Sequence, residues 1–167
     1  MNVLVNLLLA AACLAALAPP PQAPRLAAED LRRLTGARWE GTLTYTDYGS
    51  GRRVSIRSTL TVTQSADDEA AWVFEYGYPD EPGANSKGVA RLGEGGTLFD
   101  GQKVVGRTHD AGGALRVVTE KRGRDDGREA LLRYTYTFGA SSFSVRKEAR
   151  PSGAAGFSER NVYSWTR

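Results

Sequence analysis

The sequence predicts an all-β protein, an antiparallel up-and-down β-barrel of about eight to ten strands with a short N-terminal helix. Apolar residues recur at every second position through most of the chain after Arg38, which is the period of a strand with one buried face. Turn-forming residues separate these runs, and no long helical pattern intervenes to make parallel β-α-β units. Because tight turns join nearly all the runs, closure into a barrel removes the edges that an open sheet would expose.

The last third of the chain, from Ala114 to Arg167, shows this pattern most clearly. Four runs are separated by Asp126-Gly127, Gly139-Ala140-Ser141 and Pro151-Ser152-Gly153, which supply turn-compatible residues. The residues that share one face of each run are Leu115, Val117 and Thr119; Leu132, Tyr134, Tyr136 and Phe138; Phe143, Val145 and Lys147; and Phe157, Asn161, Tyr163 and Trp165. We therefore expect a four-stranded meander whose apolar face is covered by the earlier strands.

Composition favours a single soluble domain. Hydrophobic residues make up 41% of the chain and charged residues 25%, both typical of globular proteins. The net charge is +3, but Lys and Arg are spread along the chain and form no stripe with interleaved aromatics, so nucleic acid is not an expected partner. One His and one Cys leave no ligand cluster for a metal, and we expect no cofactor.

The pattern of the N-terminus indicates a targeting segment. Residues 1–24 are interpreted as a signal peptide or lipoprotein leader with a Pro-rich linker, and residues 25–167 as one barrel domain. The apolar run from Val3 to Ala18 is shorter than the about 20 residues of a bilayer-spanning helix. Cleavage after Ala16-Leu17-Ala18 and lipidation of Cys13 remain alternatives. Both predict export to the periplasm or the extracellular space, with a lipid anchor as the only membrane attachment.

The first elements after the linker are a short helix and a clear strand. Ala28 to Leu34 forms one or two helical turns with Leu31 and Leu34 on one face, which suits a cap on one end of the barrel. From Trp39 to Tyr48, apolar and polar residues alternate, so one face is predicted to be buried and the other wet.

Further runs complete the barrel. The second strand, Val54 to Val62, changes phase near Ser58-Thr59, which predicts a β-bulge. A third strand spans Ala70 to Tyr78, and the irregular stretch from Pro79 to Lys87 is a loop at the barrel's mouth. The remaining short runs bring the count to ten strands: Gly88 to Leu92, Thr97 to Phe99 and Gln102 to Thr108.

The stretch from Leu34 to Gly41, in which a Gly and a Trp open the first long strand after a short helix, resembles the start of a lipocalin or wider calycin barrel. The resemblance covers the order of the barrel strands over Leu31 to Arg167, and secreted bacterial proteins of the lipocalin-like kind are similar to this chain in that order. In that superfamily an arginine of the last strand packs over the tryptophan. The resemblance therefore implies a pair of Trp39 with Arg160, or with Arg167 as the alternative.

The resemblance also implies a monomer that binds a small lipophilic or amphipathic ligand inside the barrel. The residues expected to line that interior are Trp39, Leu43, Tyr45, Trp72, Phe74, Tyr76, Tyr134, Tyr136, Tyr163 and Trp165. Aromatic rings with polar tips suit an amphipathic molecule. The alternative is that the same side chains fill the barrel. The protein is then a non-catalytic envelope or interaction module that uses a loop such as Pro79 to Lys87.

Charged residues in the late strands form ion pairs across the sheet or, if they point inward, hold a carboxylate head group. They are Arg133, Arg146, Lys147, Glu148, Glu159 and Arg160, and alternation places Arg133 toward solvent. No catalytic constellation emerges, so we expect no enzyme. His109 and Asp110 are adjacent in a Gly-rich turn without a marked nucleophile. A hydrolase that uses a carboxylate pair such as Asp47 with Glu75 stays an alternative, because the sequence alone does not place these residues in space.

Overall fold

A computed structural model describes residues 22–167 and shows a closed antiparallel barrel of ten strands preceded by one short helix. The predicted fold class and strand count are confirmed. The expected leader and Cys13 lie outside the described residues. The elements are α1 (Ala28–Arg32), β1 (Arg38–Thr46), β2 (Arg53–Gln64), β3 (Ala71–Gly77), β4 (Ser86–Gly93), β5 (Leu98–Phe99), β6 (Gln102–His109), β7 (Leu115–Asp125), β8 (Arg128–Phe138), β9 (Ser142–Pro151) and β10 (Ser158–Thr166), with 3₁₀ turns at Pro82–Ala84 and Glu94–Gly96.

The strands follow one another around the barrel in chain order, and the first and last strands close it. β1 pairs with β10 from Glu40 opposite Thr166 to Tyr45 opposite Asn161. The β7–β8 hairpin turns on Asp126 and Gly127, both at positive φ (48° and 73°), as a two-residue hairpin turn requires. Closure pairs both terminal strands, which would otherwise be edges.

Helix α1 covers one end of the barrel, called here the lower end. Leu26, Leu31 and Leu34 are each only 1% exposed and belong to the main core. The indole Nε1 of Trp39 donates a hydrogen bond of 2.8 Å to the carbonyl oxygen of Leu34, which joins the segment after the helix to β1. The helix that the Leu spacing predicts therefore caps the barrel as expected.

The lower half of the barrel is filled by aromatic side chains. Trp39, Trp72 and Trp165 are at most 2% exposed. The ring of Trp165 stacks on Phe143 at 5.7 Å and on Tyr163 at 4.9 Å between centroids. Burial of such large apolar side chains is the main favourable contribution to folding in a barrel of this size.

The bulge predicted in β2 near Ser58-Thr59 is wrong. β1 and β2 pair without interruption from Arg38 opposite Thr61 to Thr46 opposite Arg53. Ser58 occupies an inward position and is 1% exposed, and its hydroxyl accepts a 3.3 Å hydrogen bond from Trp165 Nε1. A polar residue on the buried face produced the apparent change of phase.

Irregularities occur instead in β6, between Val104 and Gly106, and in β10, between Glu159 and Asn161. Because of the extra residue in β10, side chains before the irregularity point to the opposite face from the one that alternation from Trp165 predicts. Phe157, which the two-residue period groups with Trp165, therefore lies on the outer surface beneath the guanidinium of Arg133 at 3.7 Å.

Within residues 22–167, no helix combines the length and the apolar character that crossing a bilayer requires.

Candidate ligand-binding site

The end of the barrel opposite α1, called here the upper end, carries a row of inward-facing side chains at one level. Tyr134, Lys147, Asn161, Tyr45 and Val54 are successive register partners from β8 through β9, β10 and β1 to β2. The inward direction of this row follows from alternation along each strand.

Lys147 shares a face of β9 with two buried residues. Phe143 is 1% exposed and Ala149 is fully buried, and both lie an even number of positions away from Lys147. The lysine side chain therefore points into the barrel. A cation at such a position is uncommon, because the inner face of a small barrel is normally apolar.

A cavity of about 550 Å³ opens at the upper end of the barrel. We call it the upper cavity. Its lining residues are Leu43, Tyr45, Thr46, Asp47, Tyr48, Asp125, Asp126, Lys147, Arg160 and Asn161. The volume falls in the range of roughly 300–1,000 Å³ that small-molecule sites occupy. The wall combines apolar surface from Leu43 and the tyrosine rings with the polar ends of Lys147 and Asn161.

An ion pair crosses the mouth of the barrel from β10 to β7. Arg160 Nη2 lies 2.5 Å from Asp125 Oδ2, and the two side chains are 18% and 6% exposed. Neither Asp125 Oδ2 nor Arg160 Nε has an aligned hydrogen-bond partner in the described structure, so the contact is mainly coulombic. The guanidinium also lies 5.6 Å from the ring centre of Tyr48. The charge of Arg160 is thus balanced inside the protein.

Lys147, in contrast, has no carboxylate within ion-pair distance among residues 22–167. The carboxylate of Asp47 on the rim of the cavity is engaged by its own turn. It accepts hydrogen bonds of 2.8 Å from the Ser50 hydroxyl and the Gly49 amide, and these hold the pKa of Asp47 below its usual value. Among the residues that line the upper cavity, Lys147 consequently carries the cation available to an anionic group.

Neutral tyrosines separate the upper cavity from the solid lower half. The hydroxyls of Tyr78 and Tyr163 are 2.7 Å apart, and the rings of Tyr76 and Tyr163 have centroids 5.5 Å apart. Burial raises the pKa of Tyr76 to about 12 and also raises the pKa of Tyr163 and Tyr136. These phenols therefore carry no charge at neutral pH.

The ten residues expected to line the interior fall into two groups. Five are packed core with at most 8% exposure: Trp39, Trp72, Phe74, Tyr136 and Trp165. Leu43 and Tyr45 line the upper cavity, and Tyr76, Tyr134 and Tyr163 are partly buried side chains that pack against the core.

The expected pair of Trp39 with Arg160 is wrong, and the alternative partner is present. The guanidinium of Arg167 lies 4.6 Å from the ring centre of Trp39. Glu40 pairs with Thr166, so the end of β10 lies beside the start of β1 at the lower end. Arg160 precedes Thr166 by six positions in β10, so it lies roughly 20 Å away toward the upper end, at about 3.3 Å per residue.

Several cavity residues were not identified from the sequence, notably Asp125, Asn161 and Tyr48. Asn161 could have been found, because it interrupts an otherwise apolar inward face of β10. Asp125 gives no such signal, since it precedes a turn where an exposed aspartate is ordinary. Only the curvature of the sheet brings it across the mouth to Arg160.

The residues considered for catalysis are not brought together. His109 is exposed at the end of β6, and Asp110 Oδ1 accepts hydrogen bonds from the amides of Gly112 and Ala114 in its own turn. Glu75 pairs with Lys87 on the outer face at 2.8 Å, apart from Asp47. No group of three or more potential metal ligands occurs in the part of the chain that the structure describes.

Comparison with known proteins finds no family model and no curated protein that matches this chain. The proposed function is therefore based on the geometry of the upper cavity.

Proposed function

We propose that this chain is an exported, lipocalin-like protein that binds one small amphipathic molecule non-covalently in the upper cavity. The observation that carries the proposal is the inward-facing ammonium of Lys147, which has no carboxylate partner in residues 22–167 and lines a cavity with the apolar side chain of Leu43. A ligand with an apolar body and one anionic end matches that wall.

The energetics favour an anionic ligand over a neutral one. A partly buried ammonium loses some hydration, and an oxyanion in direct contact compensates for that loss. The amide of Asn161, which is opposite Lys147, and the hydroxyl of Tyr45, which is opposite Asn161 in the same row, can donate further hydrogen bonds. The apolar body of the ligand then lies against Leu43 and the tyrosine rings.

Features outside the cavity support the lipocalin-like part of the proposal. α1 closes one end of the barrel and leaves the cavity at the other. The Arg167 side chain covers Trp39 at the closed end, which is the arrangement that the resemblance implies. Export is supported by the apolar run from Val3 to Ala18.

Isothermal titration calorimetry on the full chain tests the proposal with three probes of equal chain length, used below their micelle concentrations. They are dodecanoate, dodecanol and dodecyltrimethylammonium. We expect dodecanoate to bind at one per chain and the other two to bind at least about tenfold more weakly, because a charge-assisted contact contributes roughly 1.5–3 kcal/mol.

Two variants locate the ligand. Lys147→Met is expected to weaken dodecanoate binding to the level of dodecanol, whereas Lys103→Met, which removes an exposed lysine of β6, leaves it unchanged. Leu43→Trp fills the cavity and should block both probes. Unchanged dodecanoate affinity in Lys147→Met, or equal affinity for dodecanol in the unmodified protein, would contradict the proposed site.

A second candidate function is the interaction module. It is favoured by the solid lower half and by the loop between β3 and β4, in which every residue from Pro79 to Asn85 is exposed. A groove of about 520 Å³ lies beside this loop, partly on the outer face of the barrel. Failure of all three amphiphiles to bind a correctly folded protein would leave this candidate as the better account.

A further inference from the structure

A second concavity lies on the outside of the barrel, where the β9–β10 turn meets the outer face of β7 and β8. We call it the outer cleft. Its volume is about 580 Å³, and its lining residues are Arg122, Gly123, Arg124, Glu129, Ala130, Leu131, Arg150, Pro151, Ser152, Gly153 and Ala154. The strands present their outward side chains here, so the outer cleft is separated from the upper cavity by the sheet itself.

The arginines of the outer cleft differ from most others in the described chain. The majority of arginines in residues 22–167 lie within 4.0 Å of a carboxylate, including Arg53, Arg57 and Arg91. Arg122, Arg124 and Arg150 have no such partner in this range. Three uncompensated guanidinium groups line one cleft.

The strand register brings these arginines close together. Arg122 is opposite Leu131, and Leu131 is opposite Arg150, so the two arginines flank one leucine in a single row. Cβ atoms of opposed residues are about 5 Å apart, which places the two Cβ atoms roughly 10 Å apart. Side chains as long as arginine can converge on one ion from that spacing. Arg124 belongs to the adjacent row, opposite Glu129.

Two of the three guanidinium groups are already held in place. The group of Arg150 lies 4.9 Å from the ring centre of Phe157, and Nε of Arg124 donates a 3.2 Å hydrogen bond to the carbonyl oxygen of Gly127. Ordering these side chains before a ligand arrives reduces the entropy cost of binding. Glu129 is the carboxylate that lines the cleft, so three cations face one anion and positive charge is in excess.

We propose that the outer cleft binds a phosphate group. A guanidinium donates two parallel hydrogen bonds to an oxyanion, and three guanidinium groups need more acceptor oxygens than one carboxylate offers. A tetrahedral phosphate supplies them and carries nearly two negative charges as a monoester, or one as the diester of a lipid head group. The group belongs either to a soluble phosphorylated compound or to a lipid head group. The outer cleft and the upper cavity share no lining residue, so phosphate binding in the cleft is independent of a ligand in the cavity.

Calorimetry with inorganic pyrophosphate and sedimentation with vesicles test the proposal and distinguish the two sources. The vesicles consist of phosphatidylcholine with or without phosphatidylglycerol. For a soluble ligand we expect saturable pyrophosphate binding at one per chain. For a lipid head group we expect binding to the phosphatidylglycerol vesicles and not to phosphatidylcholine alone. Arg122→Ala and Arg150→Ala should each weaken the binding roughly tenfold, since one charge-assisted contact is lost.

Arg116→Ala is the matched control. Arg116 lies on the same strand, points outward between buried Leu115 and Val117, and also lacks a carboxylate partner in the described chain, but it lies outside the cleft. Its removal changes the net charge equally and should have little effect, whereas Glu129→Gln should strengthen binding. The proposal is overturned if Arg116→Ala weakens binding as much as the cleft variants do, or if neither pyrophosphate nor phosphatidylglycerol vesicles bind.

Discussion

The guanidinium of Arg107 binds both carboxylate oxygens of Asp30 and thereby joins β6 to helix α1. The distances are 2.5 Å from Nη1 to Oδ2 and 3.1 Å from Nη2 to Oδ1. The irregularity between Val104 and Gly106 makes this possible, because it shifts the register so that Arg107 lies opposite the buried Val117. Without it, alternation from Val104 would direct Arg107 outward.

This ion pair should matter for stability because Asp30 is only 3% exposed. We expect Asp30→Leu to lower the free energy of unfolding by about 2–3 kcal/mol, since it leaves the partly buried Arg107 without its partner. The double variant Asp30→Leu with Arg107→Met should recover part of the loss, because the hydrogen bond of 2.9 Å that Asp30 Oδ2 accepts from the Ala27 amide stays absent. Urea denaturation of the two single variants and the double variant measures the coupling energy. A coupling near zero would show that the pair does not fasten the helix.

Gly41 is required by the contact between β1 and β10. A Cβ at this position would lie 1.9 Å from the backbone carbonyl oxygen of Ser164, and backbone atoms in a paired strand cannot move away easily. We expect Gly41→Ala to destabilise the protein by about 3 kcal/mol. Gly88→Ala in β4 is the control, because a Cβ there has no atom within 4 Å. It should be neutral or slightly stabilising, as thermal unfolding would show.

We expect the buried tyrosines to make the protein less stable at high pH. The pKa of Tyr76 is raised from 10.0 to about 12 by burial, so between these values the unfolded chain releases a proton that the folded chain retains. The contribution of protonated Tyr76 to the free energy of unfolding is fully present below pH 10. It is lost as the pH rises toward 12, and the free energy of unfolding is then lower by about 2 kcal/mol.

Denaturation from pH 9 to 12 measures that loss, and Tyr76→Phe should reduce the slope. Burial raises the pKa of Tyr136 and Tyr163 in the same direction, so part of the slope should remain in this variant. An identical slope in Tyr76→Phe and the unmodified protein would mean that Tyr76 ionises equally in the folded and unfolded chains.

Arg167 and Arg160 should differ clearly in their contributions. Removal of Arg167 loses an exposed cation–π contact with Trp39, which contributes about 0.5–1 kcal/mol. Arg160→Ala leaves the buried carboxylate of Asp125 without its cation, and we expect a loss of about 2 kcal/mol. Arg160→Ala combined with Asp125→Asn should restore part of that loss. Chemical denaturation of the three variants and the unmodified protein gives the comparison, and equal losses for Arg167→Ala and Arg160→Ala would contradict these assignments.

Local patterns in the sequence were sufficient to predict the barrel, the ten strands and the helix that caps it. The two-residue period from Phe143 to Lys147 shows which side chains share a face, since alternation is a property of the extended backbone itself. The Asp126-Gly127 pair marks its hairpin for an equally local reason, because both residues adopt positive φ.

Contacts between residues distant in sequence were decided only by the folded barrel. The single-residue shifts in β6 and β10 follow from how neighbouring strands pair, and they set the side to which Arg107 and Phe157 point. The pairing of Arg160 with Asp125, and of Arg167 with Trp39, depends on the curvature that closes β10 against β1. Whether an inward aromatic fills the core or lines a cavity depends on its height in the barrel, which alternation alone does not encode.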